Sequence, residues 1–302
     1  MDRNRRPVQP AAVTVERPLG VRVAVGTAAT PLRNGGGGAQ VGAEMGFHWE
    51  MLSDSRRNAT YRAAIAGAVP GRVVWDLGAG VGPMSLYAME AGARRVYAIE
   101  TDRDAYQYLR RLARRFRHLV PVRGDAVRGT LPDEPPDVVI CEMWSSWLTD
   151  WPMVQVLNRI RRRAPRCTVI PARAHHVLQL GYADHHAGAA LAFVPGTYAA
   201  VFGDPGAIEE MSLPVLAAMT DFQAPIPPLD VTLALVPLAS GTVNSLRFWS
   251  YEEVRDGHLS ARAGTRSDVL IRWVRPFRVT RGRRVRVRIR HRWNERLRCV
   301  IL

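Results

Sequence analysis

The stretch Val73-Val74-Trp75-Asp76-Leu77-Gly78-Ala79-Gly80-Val81-Gly82-Pro83 decides how the chain is read. Its apolar start reads as a buried strand, its three glycines as a sharp turn, and Pro83 as the opening of a helix that runs to Ala91. Glycine suits a backbone that must turn tightly and leave no side chain between itself and a ligand. The pattern is G-x-G-x-G rather than G-x-G-x-x-G, and Asp76 stands two residues before the first glycine. A carboxylate at that place repels a phosphate-bearing cofactor and suits one with an ammonium group and no pyrophosphate. Gly78, Gly80 and Gly82 are therefore expected to cradle S-adenosylmethionine rather than a nicotinamide dinucleotide. A glycine turn that merely joins a strand to a helix has the same local pattern, so the neighbouring segments carry the distinction.

Upstream, Ser53 or Asp54 caps a helix whose inner stripe is Tyr61, Ala64, Ile65 and Ala68. Arg57 lies one turn before Tyr61 on that stripe, and an inward arginine needs an anionic partner. The carboxylate of an amino-acid-like cofactor serves, and so does a nearby Asp or Glu. Downstream, Arg95 to Ile99 reads as a second strand ending in Glu100, about 20 residues past the loop, where an acid accepts hydrogen bonds from ribose hydroxyls. A helix over Asp104 to Arg117 and a strand over Leu119 to Val122 follow. They deliver Asp125 and Ala126 to the cofactor, with Asp125 in reach of an adenine amino group.

The fourth strand, Asp137 to Cys141, delivers Glu142 at its carboxyl end, where open parallel sheets bind ligands. Trp144, Trp147 and Trp151 come next, three tryptophans in eight residues, and suggest an aromatic pocket of which at least one ring is ordinary core. A helix over Met153 to Arg163 and a strand over Cys167 to Ile170 complete an α/β domain ending near Pro171.

Beyond Pro171 the period changes to two, as in Val231 to Val236 and Arg284 to Arg290, so this half is expected to be antiparallel β. The arginine ladder fits a strand with one solvated face better than a docking site. His175-His176 and His185-His186 are adjacent pairs that point to opposite faces of a strand, which makes neither a chelate; no metal site is expected. Residues 181–229, rich in Ala, Pro and Gly, read as an arm between strands. Residues 1–44, with prolines and the run Gly35 to Gly38, are expected to be mostly disordered, apart from a short strand within 21–25.

The 302 residues leave room for two modest cores. With 47% hydrophobic residues and no run of membrane-span length, the chain reads as soluble, with no membrane partner. No secretory signal is visible, and Cys141, Cys167 and Cys299 match neither a disulfide framework nor a zinc site, which makes the cytoplasm the default. A net charge of +15 invites a nucleic-acid reading, but all 42 basic residues are arginine, the mark of a GC-rich composition, and nucleic acid is not expected as a partner.

Over residues 46–302 the arrangement resembles the protein arginine methyltransferase family. The matches are His48-Trp49-Glu50-Met51-Leu52-Ser53-Asp54-Ser55-Arg56-Arg57, the loop from Asp76 to Gly82, Ala91 to Glu100, and Ile170-Pro171. The resemblance implies an α/β + β architecture: a Rossmann-like methyltransferase domain over 45–171, then a β-barrel-like substrate and dimerisation domain over 172–302, and a homodimer. It implies that Arg57 holds the methionine carboxylate, Glu100 the ribose, and Met51 lies near the transferred methyl. His48 and Asp150 are placed at the substrate pocket. Departures lie in the acceptor site. Glu142 matches the first of the family's two loop glutamates, whereas the second falls at Trp151, with Asp150 one residue short. Losing one carboxylate of a two-carboxylate clamp removes about 2 kcal/mol of charge-assisted contact. The family's Thr-His-Trp loop is missing near Gly264 to Ser267, and Gln40 to Phe47 lacks its tyrosine.

An acceptor loop that exchanges a carboxylate for indole rings points first to a small aromatic substrate. Bacterial natural-product enzymes that methylate carbon 3 of an indole resemble the family in this way. The expected reaction is therefore indole C-methylation of a tryptophan-derived compound such as a cyclic dipeptide, with Glu142 orienting or accepting the N–H proton. The alternatives are N-methylation of free or protein arginine, with Asp150 replacing the second glutamate, and an inactive scaffold that holds nucleic acid.

Overall fold

The computed structural model describes residues 23–24, 51–149, 151–183, 198–201, 208–256, 258–259, 269–293, 295 and 297–302, with the backbone alone for the strands at 23–24, 198–201 and 258–259. His48, Asp150, His185, His186, the 264–267 loop and nearly all of residues 1–44 thus lie outside the described residues. Strand β1 (Val23–Ala24) falls inside the 21–25 stretch.

Helix α1 (Ser55–Ala68) begins where Asp54 accepts the Arg57 amide on its carboxylate at 3.1 Å, which satisfies an N–H that has no partner inside the helix. Its buried residues are Tyr61, Ala64, Ile65 and Ala68, at helical spacing. There follow β2 (Val73–Leu77), α2 (Pro83–Glu90), β3 (Arg95–Glu100), α3 (Arg103–Ala113), β4 (Leu119–Arg123), β5 (Val138–Cys141), α4 (Met153–Arg163) and β6 (Thr168–Ile170). The five strands form one parallel sheet in the order β4-β3-β2-β5-β6. Central β2 is buried at every position, because helices cover both faces of such a sheet. The order in which strands are added reverses between β2 and β5, which opens a crevice at their carboxyl ends. Helix α3 stops short of the expected Arg117: the amides of Arg114 and Arg115 bond three residues back, to Arg111 and Leu112, and this tightened turn swings the chain into β4.

The second half is antiparallel. It comprises β7 (Arg173–Ala183), β8 (Tyr198–Val201), β9 (Ile208–Glu210), β10 (Val215–Asp221), β11 (Leu229–Leu235), β12 (Gly241–Arg255), β13 (His258–Leu259), β14 (Val269–Val279), β15 (Val285–His291) and β16 (Arg298–Ile301). One sheet runs β1-β8-β14-β12-β7-β10 and a smaller one β11-β15-β16. Their inner faces close on a common core in which Leu178, Leu246 and Phe248 meet Leu235, Val287 and Ile289, giving a barrel-like body. On β15, Val287 and Ile289 are buried while Arg286 and Arg290 are exposed, and Asp230 accepts from Arg288 at 2.7 Å and from Arg290 at 3.1 Å. The arginine ladder is a solvated face.

Residues 181–229 are not an arm throughout. β9 pairs with β7, and so does β10, so at least these segments belong to the large sheet; an Ala-rich and Pro-rich composition hides the alternation that would have announced them. No helix among the described residues is long and apolar enough to cross a membrane.

Candidate active site

The carboxyl ends of β2, β3 and β5 bring Asp76, Glu100 and Glu142 to one edge, and α1 lays Arg57 against Glu142. Arg57 Nη2 meets Glu142 Oε2 at 2.8 Å, Nη1 donates to Asn58 Oδ1 at 3.1 Å, and the guanidinium lies 5.1 Å over the Tyr61 ring. Burial acts against the Arg57 charge, but Glu142, with Tyr61 and Glu252 behind it, outweighs burial and the pKa rises above its ordinary value. The sequence left two partners open for Arg57, a ligand carboxylate or a protein acid; here the acid is Glu142. Asn58 also donates to the carbonyls of Met51 and Leu52 at 3.2 and 2.8 Å, which ties Met51 to the same helix start.

Beneath this pair lies a contact that sequence reasoning missed. Tyr61 donates its hydroxyl to Glu252 Oε1 at 2.5 Å, and Glu252, on β12, is only 2% exposed. No local signal singles it out: Glu252 and its neighbour Glu253 are both buried, on opposite faces of β12. Burial and then the Glu252 charge hold the Tyr61 phenol well above its usual pKa.

The glycine loop is left-handed at Gly78 (φ 69°), Gly80 (φ 56°) and Gly82 (φ 93°), which accounts for glycine at all three. A Cβ on Gly78 would meet Met143 Cγ at 2.7 Å, and one on Gly82 would meet Leu109 Cδ2 at 2.7 Å. At those two positions the space kept clear is taken by protein, so packing as well as ligand approach calls for glycine. Gly80 donates its amide to Glu100 Oε2 at 2.7 Å, while Glu100 Oε1 accepts from the amides of Thr101 and Asp102 at 2.7 and 2.8 Å. Oε2 thus carries one of these bonds and retains acceptor capacity for a hydroxyl.

Asp76 is 2% exposed and takes the Ser85 hydroxyl on Oδ2 at 2.6 Å. Burial pushes its pKa up to about 7, against the Ser85 hydrogen bond and aided by the Glu100 charge. Asp125 accepts the Val127 amide on Oδ1 at 2.7 Å, and the Ala126 carbonyl accepts from Arg159 at 2.8 Å, so both are held at the end of β4.

The tryptophans separate. Trp144 is half-buried against the core of the parallel-sheet half. Trp151 is 48% exposed. Trp147 is 0% exposed, packed edge-on to Phe248 at 5.1 Å, with its indole N–H donated to the Val177 carbonyl at 3.0 Å. As a core anchor it presents no ring to a ligand, which removes it from the expected pocket. It also takes φ 56°, and Leu148 takes φ 52°, a conformation that costs an L-residue about 1–2 kcal/mol. His175 bonds Glu253 at 2.8 Å and His176 bonds Ser250 and Thr220 at 2.8 and 2.9 Å, each on its own face of β7. Among the described residues no group of three or more His, Cys, Asp or Glu is placed to hold a metal.

Set against this geometry, residues 74–165 match the family model described as a methyltransferase domain. An uncharacterised protein of Methanocaldococcus jannaschii is 34% identical over 140 residues, 44% of this chain and 53% of the relative. Protein arginine N-methyltransferase 6 of Danio rerio is 30% identical over 141 residues, 44% of this chain and 40% of the relative. A probable histone-arginine methyltransferase 1.4 of Arabidopsis thaliana is 34% identical over 146 residues, 43% and 27%. The chain spans about half or less of the length of these relatives. In three dimensions it is similar to a chain of the Trypanosoma brucei PRMT1 enzyme-prozyme heterotetrameric complex with AdoHcy, with TM-score 0.70 and 19% identity, over 85% of this chain and 92% of that one. At that identity the likeness is one of fold: a Rossmann-like sheet followed by an antiparallel barrel-like half.

Proposed function

We propose that the chain is an S-adenosylmethionine-dependent methyltransferase whose acceptor is a guanidinium nitrogen, on free or protein-bound arginine. The observation that carries this reading is the 2.8 Å pair between Glu142 and Arg57: the carboxylate at the end of β5 already engages a guanidinium. Arginine methyltransferases among the relatives support the same acceptor.

The residues present fit the cofactor. Glu100 retains acceptor capacity for the ribose, and Arg57 has five donors, of which two are engaged by Asn58 and Glu142, leaving an edge for a carboxylate. Bound S-adenosylmethionine supplies a methyl group already activated on a sulfonium. The chain's own part is alignment in a site of fixed charge. Glu142 and Glu252 act on the Arg57 guanidinium, Glu100 and Glu142 lie near Asp76, and this set of carboxyl groups favours cations over neutral rings. Glu142 orients the acceptor nitrogen and takes its proton as the new bond forms.

The indole acceptor, expected first from the tryptophan-rich loop, is the weaker reading: Trp147 is enclosed, and the relatives named as enzymes act on arginine by their names. It keeps one observation, the exposed Trp151 at the position of the family's second glutamate. Self-association as a homodimer belongs to the proposal and is read by light scattering in solution. The kinetic test is Glu142→Gln. Transfer to an arginine peptide is expected to fall by about 10²-fold or more with AdoHcy affinity within a few-fold; an unchanged rate removes Glu142 from the reaction.

A further inference from the structure

The loop from Glu142 to Thr149 is anchored at its strained centre by the antiparallel half. The Trp147 amide donates to Ser250 Oγ at 2.9 Å, and its carbonyl accepts from His291 Nε2 at 2.9 Å. Ser250 is itself held by His176 at 2.8 Å, and His176 by Thr220 at 2.9 Å. These contacts grip both sides of one residue whose left-handed backbone would otherwise relax. His291, at the end of β15, is 1% exposed, and its Nδ1 is buried with no hydrogen-bond partner among the described residues. Its ring lies edge-on to Trp293 at 4.7 Å. A buried polar atom left unsatisfied is a cost that apolar side chains of similar volume would avoid, so the bond from Nε2 is what the residue type provides. Burial lowers the His291 pKa to about 4, which keeps the ring neutral near pH 7 with Nε2 bearing the proton that the carbonyl needs.

We infer that His291 is a positioning residue of the reaction site: by holding the Trp147 carbonyl it fixes the loop that carries Glu142. Glu142 is then restrained from two directions, by Arg57 from α1 and by the Trp147 anchor five residues on. The inference rests on the methyltransferase reading for its meaning, but its test does not. Glutamine places its amide nitrogen near the position of histidine Nε2, asparagine falls short of it, and phenylalanine fills the space without a donor.

The experiment measures hydrogen exchange of the 142–149 amides in the full chain and in His291→Gln, His291→Asn and His291→Phe, with AdoHcy affinity by calorimetry alongside. Exchange in that loop is expected to rise about tenfold or more in the Phe and Asn variants and to stay near the wild-type rate in the Gln variant. Amides of β2 and β3 and the AdoHcy affinity are expected to stay within a few-fold of wild type. Unchanged loop exchange in folded Phe or Asn variants overturns the inference. So does a rise spread evenly over the antiparallel sheets, or a Gln variant no better than Asn. Should His291→Phe fail to fold, the Gln and Asn pair decides. Absence of AdoHcy binding in the wild type counts against the proposed activity and leaves the exchange result to be read for the loop.

Discussion

Arg57 and Asp76 are two residues of the site whose charge burial works against. Arg57 is held by Glu142 and Tyr61, so Arg57→Gln removes both the pair and the donors proposed for the cofactor carboxylate. AdoHcy affinity measured by calorimetry is expected to fall about 10–100-fold, the range of a lost charged hydrogen bond. Asp76 makes a pH prediction. Its pKa is about 7 in the fold, against about 3.9 for an unfolded Asp. Between those values the folded state binds more protons than the unfolded one, so this group's contribution to stability falls as pH rises from about 4 to 7. Asp76→Asn keeps an acceptor for Ser85 and removes that slope. Thermal melts at pH 5 and pH 8 without cofactor are expected to show the variant gaining on wild type at the higher pH, at about 2–4 °C for each kcal/mol.

At the scale of elements, the parts with strong local signals were legible in the sequence. The run from Val73 to Pro83 announced β2, the turn and α2, because a buried parallel strand is continuously apolar and the three left-handed positions require glycine. The stripe on α1 was readable for the same reason of period. The positions of Glu100 and Glu142 at strand ends were legible too. What stayed hidden depended on partners distant in sequence. Tyr61 meets Glu252 across 191 positions and Trp147 meets Ser250 across 103, and no local pattern records such pairing. The three tryptophans showed the limit most clearly: equal in composition, they divide into an anchor, a half-buried ring and an exposed one. Gly82→Ala tests the loop. With φ 93° and Leu109 at 2.7 Å from the added Cβ, the substitution is expected to cost about 1–3 kcal/mol in a urea titration.

For the whole molecule, the two halves meet around the site itself. Tyr61 of α1 bonds Glu252 of β12, and Trp147, in the loop after β5, sits in the core of the antiparallel half. Tyr61→Phe leaves a buried carboxylate short of a donor, so unfolding in urea is expected to lose about 1–3 kcal/mol, although the deletion is a single oxygen. Joining the halves at the acceptor loop makes the position of Glu142 a property of the complete fold, and this is why the acceptor was the hardest part to read from sequence. The Glu142 carboxylate is proposed to receive a guanidinium. Incubation with methyl-labelled S-adenosylmethionine and a mixture of arginine peptides, free arginine, tryptophan derivatives and cyclic dipeptides, followed by mass spectrometry, tests it directly. Label on a guanidinium nitrogen is the expected result; label on indole carbon with none on arginine would contradict it.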